Sequence, residues 1–273
     1  MSTSAVRRPA VAGYYYPADP ESLRREIDRL TSGHEAPSMP ALAAVLPHGS
    51  YRHAGRVIGS TLARLAIPRR VILLGPSHTG SWMPWSLMAG GAYRTPLGEV
   101  PVDELLADAL RARCPFLDTD AWSQRGEHAL EVLVPFLQRR GPADLRIVPI
   151  VLGTEDRAQF SQLARALAQV IRMCEEPVLM IASTDLSHYA PLAEADAQDQ
   201  RLLDWLCRLD GAGLLDAVRE SGIVMCGDGP AAIVLDAAKA LGATQATVAA
   251  RGTSLEGGGD PHAVTGYAGV IIQ

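Results

Sequence analysis

The chain has 273 residues, of which 48% are hydrophobic and 20% charged, a balance typical of a globular protein with a substantial core. Its net charge is -5 and its basic residues are scattered, so we expect no nucleic-acid partner, because a phosphate backbone binds a concentrated positive surface. No segment approaches the roughly 20 uninterrupted apolar residues of a membrane span, and the first residues lack the apolar core of a signal peptide. These features predict a cytoplasmic protein without a membrane segment.

The cysteines and the single lysine exclude several classes of chemistry. Cys114, Cys174, Cys207 and Cys226 form no CxxC pair, which argues against a structural zinc site and a disulfide framework. We expect reduced thiols, with Cys114, Cys174 and Cys207 structural. Lys239 is the only lysine, so catalysis through a lysine Schiff base has little support.

Four short apolar runs predict strands buried on both faces of a sheet: 41–46, 71–74, 146–152 and 177–183. Helical periodicity covers 55–65, 102–113, 128–140, 157–172, 193–208 and 229–241, and β-rich stretches at 246–252 and 262–272 close the chain. Strands that alternate with helices predict an α/β fold with a mostly parallel central sheet and helices on both faces. Because no linker or repeat divides the chain, we expect a single domain over 1–273.

Polar clusters with histidines follow three of the predicted strands. His48 follows the first strand, His78 the second, and Asp185 and His188 the fourth. Because the carboxyl ends of parallel strands share one edge of a sheet, we expect these side chains to converge. Neutral imidazole is the commonest nitrogen ligand of iron, copper and zinc, so the pattern favours a metal site. The alternative for each histidine alone is a loop or capping residue.

Two predicted helix starts carry further candidates. Glu127 and His128 lie at the start of one helix, where partial positive charge favours a carboxylate and lowers an imidazole pKa. Cys226 precedes another helix, whose amide dipoles favour a thiolate that can act as ligand or nucleophile. The alternative for Glu127 and Asp185 is a helix cap or a solvated side chain, and for Cys226 a small core residue.

The remaining histidines are predicted to lie outside the site, His34 and His262 in solvated loops and His53 packed at the start of the next helix. Three large side chains follow His78 and are expected to pack on the core from a partly exposed loop, with a pocket wall as the alternative: Trp82, Met83 and Trp85. The sequence contains no GxSxG, GxGxxG, Walker or HExxH motif, so serine hydrolase, nucleotide-binding and zincin activities lack their local signatures.

Nine sequence blocks, in one order, resemble the Memo family, whose bacterial members are called AmmeMemoRadiSam system protein B. The blocks are RRPAVAGYYYP, PHGSYRHAG, LLGPSHTG, YRTPLGEV, EHALEVLVPFLQ, RIVPIVLG, STDLSHY, MCGDGP and AVTGYAG, and they span almost the whole chain. The resemblance implies a LigB-like fold, similar to the class III extradiol dioxygenases, which hold non-haem iron(II) with two histidines and a carboxylate. In Memo proteins the corresponding pocket has two histidines and a cysteine and is associated with copper or iron.

The resemblance carries six residues over by motif: the metal ligands His48, His78 and Cys226, and the catalytic residues His188, Asp185 and His128. His188 is then an acid or base, with Asp185 orienting it or tuning its pKa. Two departures concern the loops. The family's PHAGYxYSG block is PHGSYRHAG here, and Asp228 places a carboxylate beside Cys226.

The leading hypothesis is a metal-dependent oxidoreductase, dioxygenase-like, that uses iron(II) or copper and acts on a small molecule with dioxygen. The alternative is a non-catalytic binding or adaptor protein that uses the same cleft for a peptide or protein partner. A metal-dependent hydrolase or lyase is a third hypothesis. The family name further implies a radical-SAM protein and a third system protein as partners.

Overall fold

The computed structural model describes residues 5–33, 38–80 and 83–273. The strands in these ranges are β1 (Val6–Arg7), β2 (Ala43–Leu46), β3 (Arg70–Pro76), β4 (Trp85–Leu87), β5 (Ala92–Thr95), β6 (Gly98–Pro101), β7 (Arg146–Leu152), β8 (Val178–Ser183), β9 (Ala246–Thr253) and β10 (Gly266–Ile272). The α-helices are α1 (Pro20–Thr31), α2 (Gly55–Leu62), α3 (Glu104–Arg111), α4 (Val134–Arg140), α5 (Arg157–Arg172), α6 (Leu192–Cys207), α7 (Gly211–Ser221) and α8 (Asp228–Leu241). Short 3-10 helices cover Glu131–Leu133 and Ser254–Gly257.

Seven strands form the main sheet, in the order β4-β7-β3-β8-β2-β10-β9. Four consecutive strands, β7, β3, β8 and β2, run parallel, with Leu73 of β3 opposite Pro149 of β7 and Ile181 of β8. β4 pairs antiparallel with β7, and β10 pairs antiparallel with both β2 and β9. The predicted α/β fold is confirmed, but the sheet is mixed rather than mostly parallel, because antiparallel strands close both of its edges.

Buried side chains of the sheet alternate between its two faces. Ile72 and Leu74 of β3 pack in one core cluster with residues of α3, α5 and α8, whereas Val71 and Leu73 pack in a second cluster with residues of α1, α2 and α4. This alternation is the geometry of a strand. Because helices cover both faces, the inner strands are continuous apolar runs in the sequence.

The sequence analysis did not predict α1, α7 or the small second sheet. That sheet has the order β1-β5-β6, with β1 parallel to β5 and β6 antiparallel to it. Asp19 caps α1 by accepting a hydrogen bond from the Ser22 N–H, and Asp210 caps α7 in the same way. These N-cap residues are local signals, whereas the pairing of the short β1 with β5 joins segments that are distant in sequence.

The structure locates Trp85 and the cysteines that the sequence analysis singled out. Trp85 belongs to β4, is buried, and packs against Phe116 and Phe160, so it lies neither in a loop nor in a pocket wall. The four cysteines, all within the described ranges, form no disulfide. His34 and Trp82 lie outside the described residues. None of the helices in the described part of the chain is long and apolar enough to cross a membrane.

Candidate metal centre

The carboxyl ends of β2, β3 and β8 meet at one edge of the main sheet. His48 follows β2, His78 follows β3, and Asp185 follows β8. The ring centroids of His48 and His78 are 5.0 Å apart. The structure therefore brings these strand-end side chains together, as parallel topology requires.

His48 is almost fully buried and has a hydrogen-bonding group at each polar atom. Its backbone N–H donates to Asp185 Oδ1 at 2.9 Å, and its ring Nδ1 lies 2.9 Å from the Ser183 hydroxyl oxygen. Its ring Nε2 lies 3.3 Å from Cys226 Sγ. Burial lowers the pKa of His48 to about 4, against the opposing charge of Asp185. The ring is therefore neutral at pH 7, the form that binds metal ions.

His78 is held by the buried carboxylate of Glu127. Glu127 accepts hydrogen bonds from the His78 backbone N–H at 2.5 Å, from its ring Nδ1 at 2.9 Å and from the Ala129 N–H at 2.8 Å. Burial raises the pKa of the Glu127 carboxyl, but these hydrogen bonds outweigh burial and lower it to about 2. Burial acts to lower the pKa of His78, but the hydrogen bond and negative charge of Glu127 outweigh burial, so the pKa of His78 is raised. Because the ionised carboxylate only accepts, Nδ1 of His78 carries a proton and Nε2 is the atom left to bind a ligand.

His128 is the third histidine of the cluster. Its ring stacks on that of His78 with centroids 4.6 Å apart, and its centroid is 5.5 Å from that of His48. The Tyr15 ring lies 4.9 Å away. Burial lowers the pKa of His128, with Glu127 opposing the shift, so this ring is also neutral at pH 7.

Cys226 lies just before α8, whose N-cap is Gly227. Its Sγ accepts a hydrogen bond from the Asp185 backbone N–H at 3.3 Å. Burial, together with the negative charge of Asp185, raises the pKa of the thiol to about 12. The expected stabilisation of a thiolate by the start of the helix is therefore wrong for the thiol in this environment, because the cost of burying the charge is larger.

The donor atoms form two groups that share His48. One group is His48, His78 and His128, and the other is His48, Asp185 and Cys226; within each group the potential ligand atoms lie within 4.8 Å of one another. Among the described residues, no such group contains both His78 and Cys226. His48 is thus the member common to both groups, and the other two predicted ligands belong to different groups.

Asp185 lies between His48 and His188. The ring Nδ1 of His188 is 3.0 Å from the Leu186 carbonyl oxygen and 3.1 Å from that of Val224, so Nδ1 carries a proton, because carbonyls only accept. The Nε2 atoms of His188 and His48 are each 3.9 Å from Asp185 Oδ2. Asp185 is buried, so the alternative of a solvated side chain is wrong.

A cavity of about 490 Å³ lies against these side chains. Its lining includes five histidines (His48, His53, His78, His128 and His188) and four tyrosines (Tyr14, Tyr15, Tyr189 and Tyr267). Tyr14 and Tyr189 are 87% and 76% exposed, and Tyr189 has a φ of 59°, which a bulky side chain rarely adopts. Within the described ranges, Cys226 does not contribute to the lining. The volume is in the range of small-molecule sites.

Three other polar residues discussed in the sequence analysis are outside both donor groups. The Nδ1 atom of His53 lies 3.0 Å from Ser50 Oγ, and its ring packs against Gly257, where an added Cβ would be 2.0 Å away. His53 therefore packs before α2 as predicted, but it also lines the cavity, so the expectation that it lies outside the site is wrong. His262 is exposed in its loop, also as predicted. Asp228 begins α8 and accepts a hydrogen bond from the next backbone N–H, which makes its carboxylate part of the helix start.

The sequence analysis missed the supporting roles of Ser183 and Glu127. For Glu127, a site candidate whose alternative was a helix cap or a solvated side chain, the structure shows a buried side chain that orients His78. Ser183 ends β8, is fully buried, and contacts the His48 ring. The available signal was the presence of both residues in blocks that also contain a candidate histidine, EHALEVLVPFLQ and STDLSHY.

Comparison with known proteins identifies the family. The model of the Memo-like protein family matches residues 7–271. A MEMO1 family protein of Methanopyrus kandleri is 35% identical over 98% of this chain and 99% of its own length. A MEMO1 family protein of Methanosarcina barkeri is 36% identical over 98% of this chain and 100% of its own length, and one of Aquifex aeolicus is 36% identical over 98% and 99%.

A solved structure shares the fold. The crystal structure of an uncharacterized protein from Escherichia coli K12 aligns with a TM-score of 0.58 at 17% identity, covering 84% of this chain and 98% of the other. This likeness concerns the fold alone. The family match and the full-length relatives show more: the chain belongs to the Memo family.

Proposed function

We propose that this protein is a metal-dependent oxidoreductase that acts on a small molecule with dioxygen, with His48, His78 and Cys226 as metal ligands. The observation that carries the proposal is the convergence of neutral imidazoles, a thiol and a carboxylate on His48 beside a cavity of about 490 Å³. The cavity volume suits a small-molecule substrate.

The donor set fits iron(II) or copper. A soft sulfur with two imidazoles disfavours magnesium and calcium, which prefer oxygen ligands. Iron or copper held there would supply the one-electron chemistry that a reaction with dioxygen requires. Because the pKa of the Cys226 thiol is about 12, binding through sulfur must displace its proton. The proposed set takes His78 from one donor group and Cys226 from the other, with His48 common to both.

The chain's own residues supply acid and base groups around the cavity. His188 keeps a proton on Nδ1 through the carbonyls of Leu186 and Val224, which leaves Nε2 to accept a proton from a substrate. Asp185 Oδ2 lies 3.9 Å from that Nε2 and orients the ring in this proposal. His128, stacked on His78, is a second neutral ring that faces the cavity and contacts the substrate in this proposal.

Anaerobic reconstitution with iron(II) or copper(I) tests the ligand assignment. We expect the wild type to retain one ion and His48→Ala to lose it. His262→Ala is the matched control, because it removes an exposed histidine outside both donor groups. Equal, stoichiometric metal in all three proteins would contradict the assignment.

Oxygen consumption tests the reaction class. The loaded wild type should consume oxygen with catechols or small reductants, and His188→Gln should retain the ion but slow consumption by roughly 100- to 10,000-fold, the usual contribution of a general acid or base. Turnover of a substrate without oxygen would instead indicate a hydrolase or lyase.

One observation favours the alternative of a binding protein. Tyr14 and Tyr189 are largely exposed at the cavity, and exposed aromatic side chains are frequent at sites that bind partners. In that case the loaded protein would consume no oxygen while binding a purified radical-SAM or third system protein, the partners that the family name suggests. Substitution of both tyrosines by serine would then weaken that binding.

A further inference from the structure

A count of hydrogen-bond donors determines which nitrogen of His48 carries the proton. The Ser183 hydroxyl oxygen lies 2.9 Å from His48 Nδ1 and 2.6 Å from the Ala129 carbonyl oxygen. A carbonyl only accepts, and a serine hydroxyl has one hydrogen to donate. Because that hydrogen goes to Ala129, the hydroxyl oxygen must accept from His48, and Nδ1 is the protonated nitrogen.

The opposite side of the ring is compatible with this assignment. The Asp185 backbone N–H donates to Cys226 Sγ at 3.3 Å, and that sulfur is 3.3 Å from His48 Nε2. With Nδ1 protonated in a neutral ring, Nε2 has a free lone pair that accepts the S–H hydrogen. All hydrogens in the chain then point one way, from the Asp185 N–H through Cys226, His48 and Ser183 to the Ala129 carbonyl. The Ala129 carbonyl at one end can only accept, and this fixes the direction of the hydrogen bonds of Ser183 and His48 Nδ1.

We infer that Ser183 is a positioning residue that holds His48 as the Nδ1–H tautomer, with the Nε2 lone pair directed toward Cys226 Sγ. Ser183 is fully buried at the end of β8, so water does not compete for either hydrogen bond. The inference about the tautomer stands on hydrogen-bond geometry alone. Only its consequence for metal binding rests on the proposed function.

One short segment thereby orients both predicted histidine ligands. Glu127 accepts the hydrogen from Nδ1 of His78, and Ala129, two residues later, accepts from the serine that holds His48. Metal-binding histidines usually donate their second N–H to a carboxylate or a backbone carbonyl, which fixes the tautomer and the ring orientation. Here one histidine uses the carboxylate directly, and the other reaches the carbonyl through a hydroxyl.

Long-range proton–nitrogen NMR of protein labelled with ¹⁵N-histidine, prepared without metal at pH 7.5, tests the inference. We expect His48 to show a protonated Nδ1 and an unprotonated Nε2. In Ser183→Ala, the Nδ1–H loses its acceptor, and the ring should shift toward the Nε2–H tautomer, which is favoured in water. Ser86→Ala is the matched control, since Ser86 is a buried strand serine whose hydroxyl donates to the Asp120 carbonyl oxygen.

The outcomes separate this inference from the proposed function. A wild-type His48 with protonated Nε2 overturns it without any variant, and an unchanged His48 tautomer in Ser183→Ala overturns the role of Ser183. If the tautomer behaves as expected, titration with zinc ions should show roughly 10- to 100-fold weaker binding in Ser183→Ala than in Ser86→Ala. A shifted tautomer in a protein that binds no ion would support Ser183 as a positioning residue and contradict the proposed metal centre.

Discussion

A buried ion pair ties the start of the chain to the segment that carries Glu127. The side chains of Arg7 and Glu131 are each 1% exposed, and Arg7 Nη1 lies 2.5 Å from Glu131 Oε2. The Glu131 carboxylate also accepts hydrogen bonds from the backbone N–H groups of Ala10 and Val11 and from the Tyr16 hydroxyl. These bonds place residues 7–16, which include the cavity tyrosines Tyr14 and Tyr15, beside the histidine cluster.

Replacing Arg7 by methionine leaves the Glu131 charge buried without its partner. It also removes the hydrogen bonds from the guanidinium to the carbonyl oxygens of Gln124 and Glu127. Loss of one member of a buried pair typically costs about 3 to 5 kcal/mol, because the remaining charge is desolvated without compensation. We therefore expect Arg7→Met to lower the free energy of unfolding by about that amount, and Arg7→Met/Glu131→Gln to recover part of it.

Urea denaturation at pH 7, followed by circular dichroism, measures this loss. Arg94→Met is the matched control, because Arg94 and Glu99 form an ion pair whose side chains are 47% and 43% exposed. An exposed pair contributes about 0 to 1 kcal/mol. If Arg7→Met lowers the free energy of unfolding no more than Arg94→Met does, the argument that burial makes the Arg7–Glu131 pair important for stability is refuted.

Three further predictions concern the centre itself. Glu127→Gln should weaken zinc binding by roughly 10- to 100-fold, since the amide holds His78 less firmly; unchanged affinity in a competition titration would contradict the role of the carboxylate. Burial lowers the pKa of His48 from 6.5 to about 4. Between these two pH values, His48 is therefore protonated in the unfolded chain but not in the folded chain. The free energy of unfolding should therefore fall by roughly 3 kcal/mol as the pH drops from 6.5 to 4, and His48→Gln should lose that component of the slope in urea titrations; identical slopes would be evidence against a buried neutral ring. Gly227→Ala places a Cβ 2.4 Å from the Ser183 carbonyl oxygen and should cost about 1 to 3 kcal/mol in thermal unfolding, whereas Gly126→Ala, whose Cβ meets only a methyl at 3.4 Å, should cost less.

The inner strands and the strand-end histidines were predictable because their signals are local. β2, β3, β7 and β8 are buried apolar runs, and each of the candidates His48, His78 and Asp185 stands directly after one of them. Parallel strands have their carboxyl ends at the same edge, so sequence position was enough to predict that these residues meet. The pairing at the sheet edges was not predictable in this way. β10 lies antiparallel between β2 and β9, which depends on contacts between distant segments.

The sequence by itself determined the residue types of the centre, the strands that carry them and, through ordered motifs, the family. Only the tertiary structure decided their chemical states. Glu127 is an ionised partner of His78 because two backbone N–H groups and the His78 ring donate to it. The pKa of the Cys226 thiol is raised, because burial outweighs any stabilisation of a thiolate by the start of α8. The sequence shows the helix start but not the burial. Ionisation depends on burial and on neighbours from other strands, and neither is encoded in the spacing of residues along one segment.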